Sequence, residues 1–284
     1  MNIRKAERKQ AKIKLAIQGP SGSGKTYSSL LLAKGLVGSL DKVCIIDTEA
    51  GSSDLYANLG DYNIIPVSSP YTPEKYIQAI ELAETSEMKV IIIDSLSHGW
   101  ENLLDFHAGL TGNSFANWSK VTPRQNALLT KILSSTSHII ATLRVKQDYV
   151  LNDKGNGKLV PEKIGLKPIQ RDGVDYEFTI VFDLDNKHLT SCSKDRTGLF
   201  IDKPEFKITE ATGTLINDWC LQGVNKDEVI LKIKSADNLQ ELTTVYTTYK
   251  DYFPELLLQF TDRKKAISSK LLTFKHSSNG STNS

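Results

Sequence analysis

Apolar and polar positions along this chain fall into short blocks that alternate in character. Ile13, Leu15 and Ile17 recur at period two, the signature of a strand, and Tyr27 to Leu36 can follow as a helix. Lys42 to Asp47 (KVCIID) and Val90 to Asp94 (VIIID) are apolar runs that each end in an aspartate. Such runs read as strands covered on both faces. Residues 73–86 read as a helix, with Pro73 near its start and Ile77, Ile80 and Leu82 as apolar positions. Residues 123–134 read as another helix, and His138 to Leu143 as the strand after it. Strands alternating with helices predict a largely parallel sheet with helices on both faces. From about 144 the pattern weakens. Asn152 to Gly157 reads as a turn, and residues 176–184 and 188–194 read as short antiparallel strands that complete the sheet.

Beyond 221 the pattern becomes wholly helical. Asp237 and Gln240 have capping-box spacing, and Leu239, Leu242, Val245, Tyr246 and Tyr249 then recur at helical intervals. A further helix is expected to start near Pro254, with Leu257, Phe260, Ile267 and Leu271 on one face. Core packing is the simplest use of these stripes. The expected organisation is a basic segment at 1–11, an α/β core at 12–221 and a helical appendage at 222–275. A polar tail at 276–284 is expected to be disordered.

Composition narrows the picture only a little. An apolar content of 39% supports a proper core. With 35 Lys+Arg against 33 Asp+Glu, net charge does not announce a nucleic-acid binder, so only local patches could serve that role. Cys44, Cys192 and Cys220 are scattered and odd in number, as expected for reduced thiols, and no Cys/His spacing suits a metal site. The basic start (Arg4, Lys5, Arg8, Lys9) is followed by no apolar signal segment, and no run is long enough to span a membrane. A soluble cytoplasmic protein is expected.

The chemistry begins at Gly19-Pro20-Ser21-Gly22-Ser23-Gly24-Lys25-Thr26, which fills every position of G-x-x-x-x-G-K-[ST] between a strand and a helix. Glycines let the backbone close around phosphate oxygens, while loop N–H groups and the helix N-terminus supply donors. Lys25 is expected on the β- and γ-phosphates, and the Thr26 hydroxyl on Mg²⁺. Asp94, at the end of a four-residue apolar run, is the second expected holder of Mg²⁺. Ser95 follows it where many AAA-type ATPases carry a water-polarising glutamate. Glu49, just past the strand after the P-loop helix, is therefore the candidate base.

Here the sequence resembles a family. Ile45 to Glu49, Asp54 to Ala57 and Leu59-Gly60 are similar to the corresponding stretch of the RecA recombinases, where the glutamate activates water. Tyr56 lies near the position of an adenine-packing tyrosine in that family, but at shorter spacing, and a packing role suits it better. Val90 to Trp100, Ala141 to Tyr149, Gly165 to Arg171, Tyr176-Glu177-Phe178 and Ser193 to Arg196 look like the RecA-like ATPases encoded by bacteriophages. The likeness covers roughly residues 12–202 and implies a RecA-like P-loop core binding ATP and Mg²⁺. It further implies a homo-oligomer, ring or filament, working in the host cytoplasm on single-stranded DNA. An annealase or single-strand-binding protein would be the partner. RecA's own DNA-binding loops are not recognisable, which argues against strand exchange.

The resemblance also gives Lys194 and Arg196 an expected role, reaching the nucleotide of a neighbouring subunit to stabilise transition-state charge. Alternation places both on one face of a strand, where a solvated sheet edge is the plainer reading. Thr142 and Arg144 are candidate γ-phosphate sensors, and Arg144 equally begins a basic stretch over 144–171 with Tyr149 interleaved. That stretch suits single-stranded DNA or is simply a solvated hairpin. The alternative class is a P-loop enzyme or nucleotide-dependent scaffold acting on a small molecule or protein. Guanine readers are disfavoured, since Asn186 to Leu189 and Asn225 to Glu228 both miss the final position of N-K-x-D.

Overall fold

The computed structural model describes residues 11–153, 159–221, 226–250 and 253–278, and side chains within these except at 149–164 and 270–278. Packing divides the chain into two units, Lys12–Trp219 and a second that begins at Cys220. In chain order the first unit runs β1 (Lys14–Gly19), α1 (Lys25–Val37), β2 (Val43–Asp47), β3 (Asn63–Pro66), α2 (Pro73–Thr85) and β4 (Val90–Asp94). It continues with α3 (Ser97–Ala108), α4 (Ser114–Ser134), β5 (His138–Asp153), β6 (Leu159–Pro168), β7 (Ile180–Leu184) and β8 (Thr190–Asp195), and it ends within α5 (Glu210–Leu221).

The sheet order is β3-β2-β4-β5-β1-β7-β8, with β6 paired to β5. Its first six strands in this order are mutually parallel; β8 is antiparallel to β7, and β6 to β5. The fold is α/β, a P-loop NTPase core whose parallel sheet is extended by antiparallel strands. Register explains where chemistry gathers. Asp47 pairs with Asp94, Ile93 with Ala141, and Gly19 with Arg144, so the P-loop, Asp94 and the middle of β5 share one sheet edge. Ligands of open parallel sheets bind at that carboxyl edge.

The apolar runs are the core. Val90, Ile91, Ile92 and Ile93 are all fully buried, each worth ~1.5–3 kcal/mol of transfer free energy, and so are Ile45 and Ile46 beside them. Tyr76, Ile80 and Ala83 of α2 and Leu128 and Ile132 of α4 cover one face.

Several expectations are corrected. The strand after α4 does not stop at Leu143 but runs to Asp153, and its second half pairs with β6. The strand expected over 176–184 begins only at Ile180, because Gly173 at φ 86° starts a 3-10 turn over Val174–Tyr176 that buries Val174. The helix expected at 123–134 begins at Ser114, where the Asn113 side chain caps Phe115 and Ala116. Pro123 lies inside it rather than at its start. Helix α3 and strand β3 were not foreseen.

The second unit contains α6 (Lys226–Ser235), α7 (Leu239–Tyr249), a 3-10 turn (Pro254–Leu256) and α8 (Leu257–Ser278). Val229, Ile233, Leu242, Leu256, Phe260 and Ile267 make its core. The α7 cap sits one residue later than expected. Asn238 accepts from the Glu241 N–H, and Glu241 accepts in return from the Asp237 N–H. Helix α8 runs to Ser278, so the disorder expected from 276 does not hold at 276–278; residues 279–284 lie outside the described residues. Among the described residues no helix is long and apolar enough to cross a membrane.

Candidate nucleotide site

Strand β1 ends at Gly19 and α1 begins at Lys25, so Pro20 to Gly24 form the loop between them. Gly24 caps α1 at φ 86°, a conformation that a side chain would oppose. A Cβ on Gly19 would lie 2.6 Å from the Leu184 carbonyl oxygen and 2.7 Å from Ser23 Oγ, so only glycine lets the loop close. Lys25 Nζ donates to the carbonyls of Gly19 and Pro20, both at 2.9 Å, and so lies folded over its own loop. Burial lowers its pKa, while the Asp94 and Glu49 carboxylates oppose the shift.

The sequence reading missed His188, which sits at φ 63° between β7 and β8. Its Nδ1–H donates to the Ser23 carbonyl at 2.9 Å and so braces the loop from outside. No motif signals it. Ser23 Oγ is fully buried, and among the described residues it has no hydrogen-bond partner.

Asp94 is buried at the end of β4 and accepts two short hydrogen bonds. Thr26 Oγ1 donates to Oδ2 at 2.6 Å, and Thr142 Oγ1 to Oδ1 at 2.6 Å. Burial raises the Asp94 pKa, and the Thr142 and Thr26 hydroxyls hold the rise in check. The sequence-predicted pair of Mg²⁺ holders, Thr26 and Asp94, is thus brought into direct contact. Hydroxyl and carboxylate oxygens are the donors that suit this hard cation. With the glycine-lined loop and the unpartnered Ser23 hydroxyl, they fit a Mg²⁺-bound triphosphate.

Glu49 lies just past β2. Asp47 shapes its loop: Oδ1 accepts from the Glu49 N–H at 2.6 Å, and Oδ2 accepts from the Ser53 hydroxyl. Arg144, from the middle of β5, grips the Glu49 carboxylate with two hydrogen bonds, Nε to Oε1 at 3.0 Å and Nη2 to Oε2 at 2.6 Å. Its own backbone N–H donates to Ser97 Oγ at 2.9 Å, which ties β5 to the start of α3.

His98 was also missed. Its Nε2 is 4.0 Å from Glu49 Oε1, its Nδ1 is 2.7 Å from Thr48 Oγ1, and its ring stacks on Tyr71 at 4.9 Å. Burial, helped by the nearby Arg144 charge, lowers its pKa and favours the neutral ring. Thr48 also accepts from the Ser95 N–H at 2.9 Å, locking the Glu49 loop to the end of β4.

Lys194 and Arg196 are not brought to this cluster. Lys194 pairs with Val181, which pairs with Ala16, so they lie toward the opposite end of the strands from Gly19. Both side chains donate to the Tyr176 carbonyl, Arg196 at 2.8 Å, and the Lys194 ammonium also lies over the face of the Tyr176 ring. Tyr56 packs against Tyr27, with ring centroids 5.9 Å apart. Within the basic stretch 144–171, Val145–Asp153 of β5 pairs antiparallel with Leu159–Pro168 of β6. The side chains of Tyr149, Lys154, Lys158 and Lys163, and the N-terminal basic residues Arg4 to Lys9, lie outside the described residues.

Fold and site together define a nucleotide-binding P-loop ATPase. The chain belongs to a family of AAA domains, whose family model matches residues 11–221. No curated protein matches the chain.

Proposed function

We propose that this chain is a Mg²⁺-dependent ATPase of the RecA-like kind that acts on single-stranded DNA in phage recombination or replication. It would work as a homo-oligomer, ring or filament, beside an annealase or single-strand-binding protein. The observation that carries the ATPase reading is the convergence of Thr26, Thr142 and Glu49–Arg144 around Asp94 at the mouth of the P-loop.

Gly19 to Thr26 wrap the phosphates, and Lys25 turns from its loop carbonyls toward the β- and γ-phosphates. Thr26 and Asp94 would hold a Mg²⁺ ion, which would supply neutralisation of phosphate charge. Glu49 orients and deprotonates the attacking water. Arg144 holds Glu49 through two hydrogen bonds and would exchange that carboxylate for a γ-phosphate oxygen when nucleotide binds. Thr142 reports on the same event through Asp94. Lys194 and Arg196 serve a neighbouring subunit's nucleotide. The DNA reading rests on the likeness to phage RecA-like ATPases and on the basic ribbon rising from β5.

Lys25→Ala removes the charge nearest the transferred phosphate, so turnover should fall at least a hundredfold and triphosphate affinity should weaken. Titrating a fluorescent oligonucleotide at two salt concentrations, with and without an ATP analogue, tests the DNA half. The expected result is analogue-dependent binding, tighter for single strands than for duplex. ATP hydrolysis without DNA binding at low salt in any nucleotide state would move the reading to an ATPase directed at a protein partner.

A further inference from the structure

We propose that single-stranded DNA is held in the groove between the start of α4, the facing side of α3 and the base of the β5–β6 ribbon. Bases would stack at Phe115 and Trp118, and phosphates would be held by Lys146, Lys167 and Arg171. The inference deepens the DNA reading above and rests on it.

The groove encloses about 1100 Å³ and is lined by Trp100, Phe115, Trp118, Lys146, Lys167 and Arg171, among others. Three observations give it a ligand class. First, Lys146 and Lys167 are direct cross-strand partners in the ribbon. Like charges directly opposite one another destabilise a strand pair, so a facing anion removes a standing repulsion. Asp172 offsets part of it, with its carboxylate 2.7 Å from Lys167 Nζ, and the charge of Lys146 remains.

Second, α3 and α4 line the groove with aromatic rings. Phe115 is 88% exposed in the first turn of α4, where it contributes little to folding. Trp118 is half-buried, stacked on His107 at 4.3 Å and against Trp100 at 6.1 Å. Third, cations and rings line one groove, so a ligand filling it can place phosphates at the cations and flat apolar faces at the rings. Unpaired nucleotides do this, and a duplex hides its base faces.

The test uses the full chain and a fluorescein-labelled dT oligonucleotide with an ATP analogue, read by anisotropy over a salt series. Phe115→Ala should weaken binding about tenfold, within the range for losing one base stack, and Phe115→Trp should restore it. The double variant Lys146→Ala/Lys167→Ala should flatten the log-affinity against log-salt slope by about 1.4, that is ~0.7 for each phosphate released. DNA-independent ATP hydrolysis should be unchanged in all three, which also reports that they fold. If the wild type binds and every variant binds with the same affinity and slope, the groove is overturned while the DNA reading stands. If the variants instead break a wild-type oligomer, the groove is a contact between copies and the inference is equally overturned. If the wild type binds no oligonucleotide at low salt, the DNA reading fails first and takes the groove with it.

Discussion

From His138 to Leu143, β5 lies between β4 and β1 with every residue buried, whereas from Val145 onward it leaves the parallel sheet and pairs with β6. The two halves of this one strand differ in what holds them. Apolar burial on both faces fixes the first half, and a single antiparallel ladder carries the second. Side chains alternate along a strand, so Thr142, Arg144 and Lys146 are successive positions of one face. Thr142 reaches Asp94, Arg144 grips Glu49, and Lys146 lines the aromatic groove. The contrast teaches that the stiff half positions the phosphate chemistry while the ribbon half is free to meet a ligand. Arg144 stands at the junction.

The sharpest break between the halves comes at Glu49. Glu49→Gln keeps the shape but removes the base, so ATP should still bind while steady-state hydrolysis falls at least tenfold. Equilibrium nucleotide binding and phosphate release, measured on the same sample, check this. Mixed oligomers of Glu49→Gln and Arg196→Ala subunits should regain some turnover, because hybrid interfaces pair an intact glutamate with an intact arginine. Full turnover in Glu49→Gln alone would mean that another group activates water. A strictly inactive mixture would leave Arg196 with the Tyr176 carbonyl as its only role.

A smaller effect is expected at the junction itself. Arg144→Ala frees Glu49 from its clamp, and basal turnover should fall a few-fold as the carboxylate loses its orientation. If oligonucleotide stimulates turnover of the wild type, that stimulation should disappear in the variant, because the ribbon no longer touches Glu49 through Arg144. Arg144→Lys keeps the charge without the two-pronged grip and should recover only part of it. If stimulation persists in Arg144→Ala, coupling between the halves does not pass through this residue.

The same contrast explains what was legible in the sequence. The P-loop was readable from its motif, and KVCIID, VIIID and the strand to Leu143 because burial on both faces leaves unbroken apolar runs. Thr26 followed from the same motif, and Asp94 and Glu49 from their places at or just past strand ends. The ribbon half of β5 was not readable as a strand, since Arg144 to Asp148 is polar and its ladder depends on a distant partner, Gly165–Pro168. Helix α4 was shortened because Pro123 resembles a start signal, whereas the cap is Asn113. His98 and His188 carry no motif, and each acts through one long-range hydrogen bond. Phe115 and Trp118 gained meaning only when folding set them in one groove with the lysines.

The smallest expected effect lies at the far end of β5 and concerns stability rather than turnover. His138 Nδ1 accepts from the Ile13 N–H at 3.1 Å, which requires the neutral ring. Burial, with help from the Lys12 and Lys14 charges, pushes its pKa down to about 3 from an ordinary 6.5. The unfolded chain therefore takes up a proton that the folded chain refuses. This contribution to stability is complete above pH 6.5 and is lost as pH falls from 6.5 toward 3, at up to about 1.4 kcal/mol per pH unit. His138→Asn offers an acceptor that does not titrate. The variant should be less stable at pH 7 for its smaller volume, yet should lose stability more slowly between pH 6.5 and 5. Urea unfolding at three pH values in that window gives the slopes directly. Parallel slopes for wild type and variant would show that His138 titrates alike in the folded and unfolded chain. In that case the buried half of β5 would be as open to protons as the ribbon.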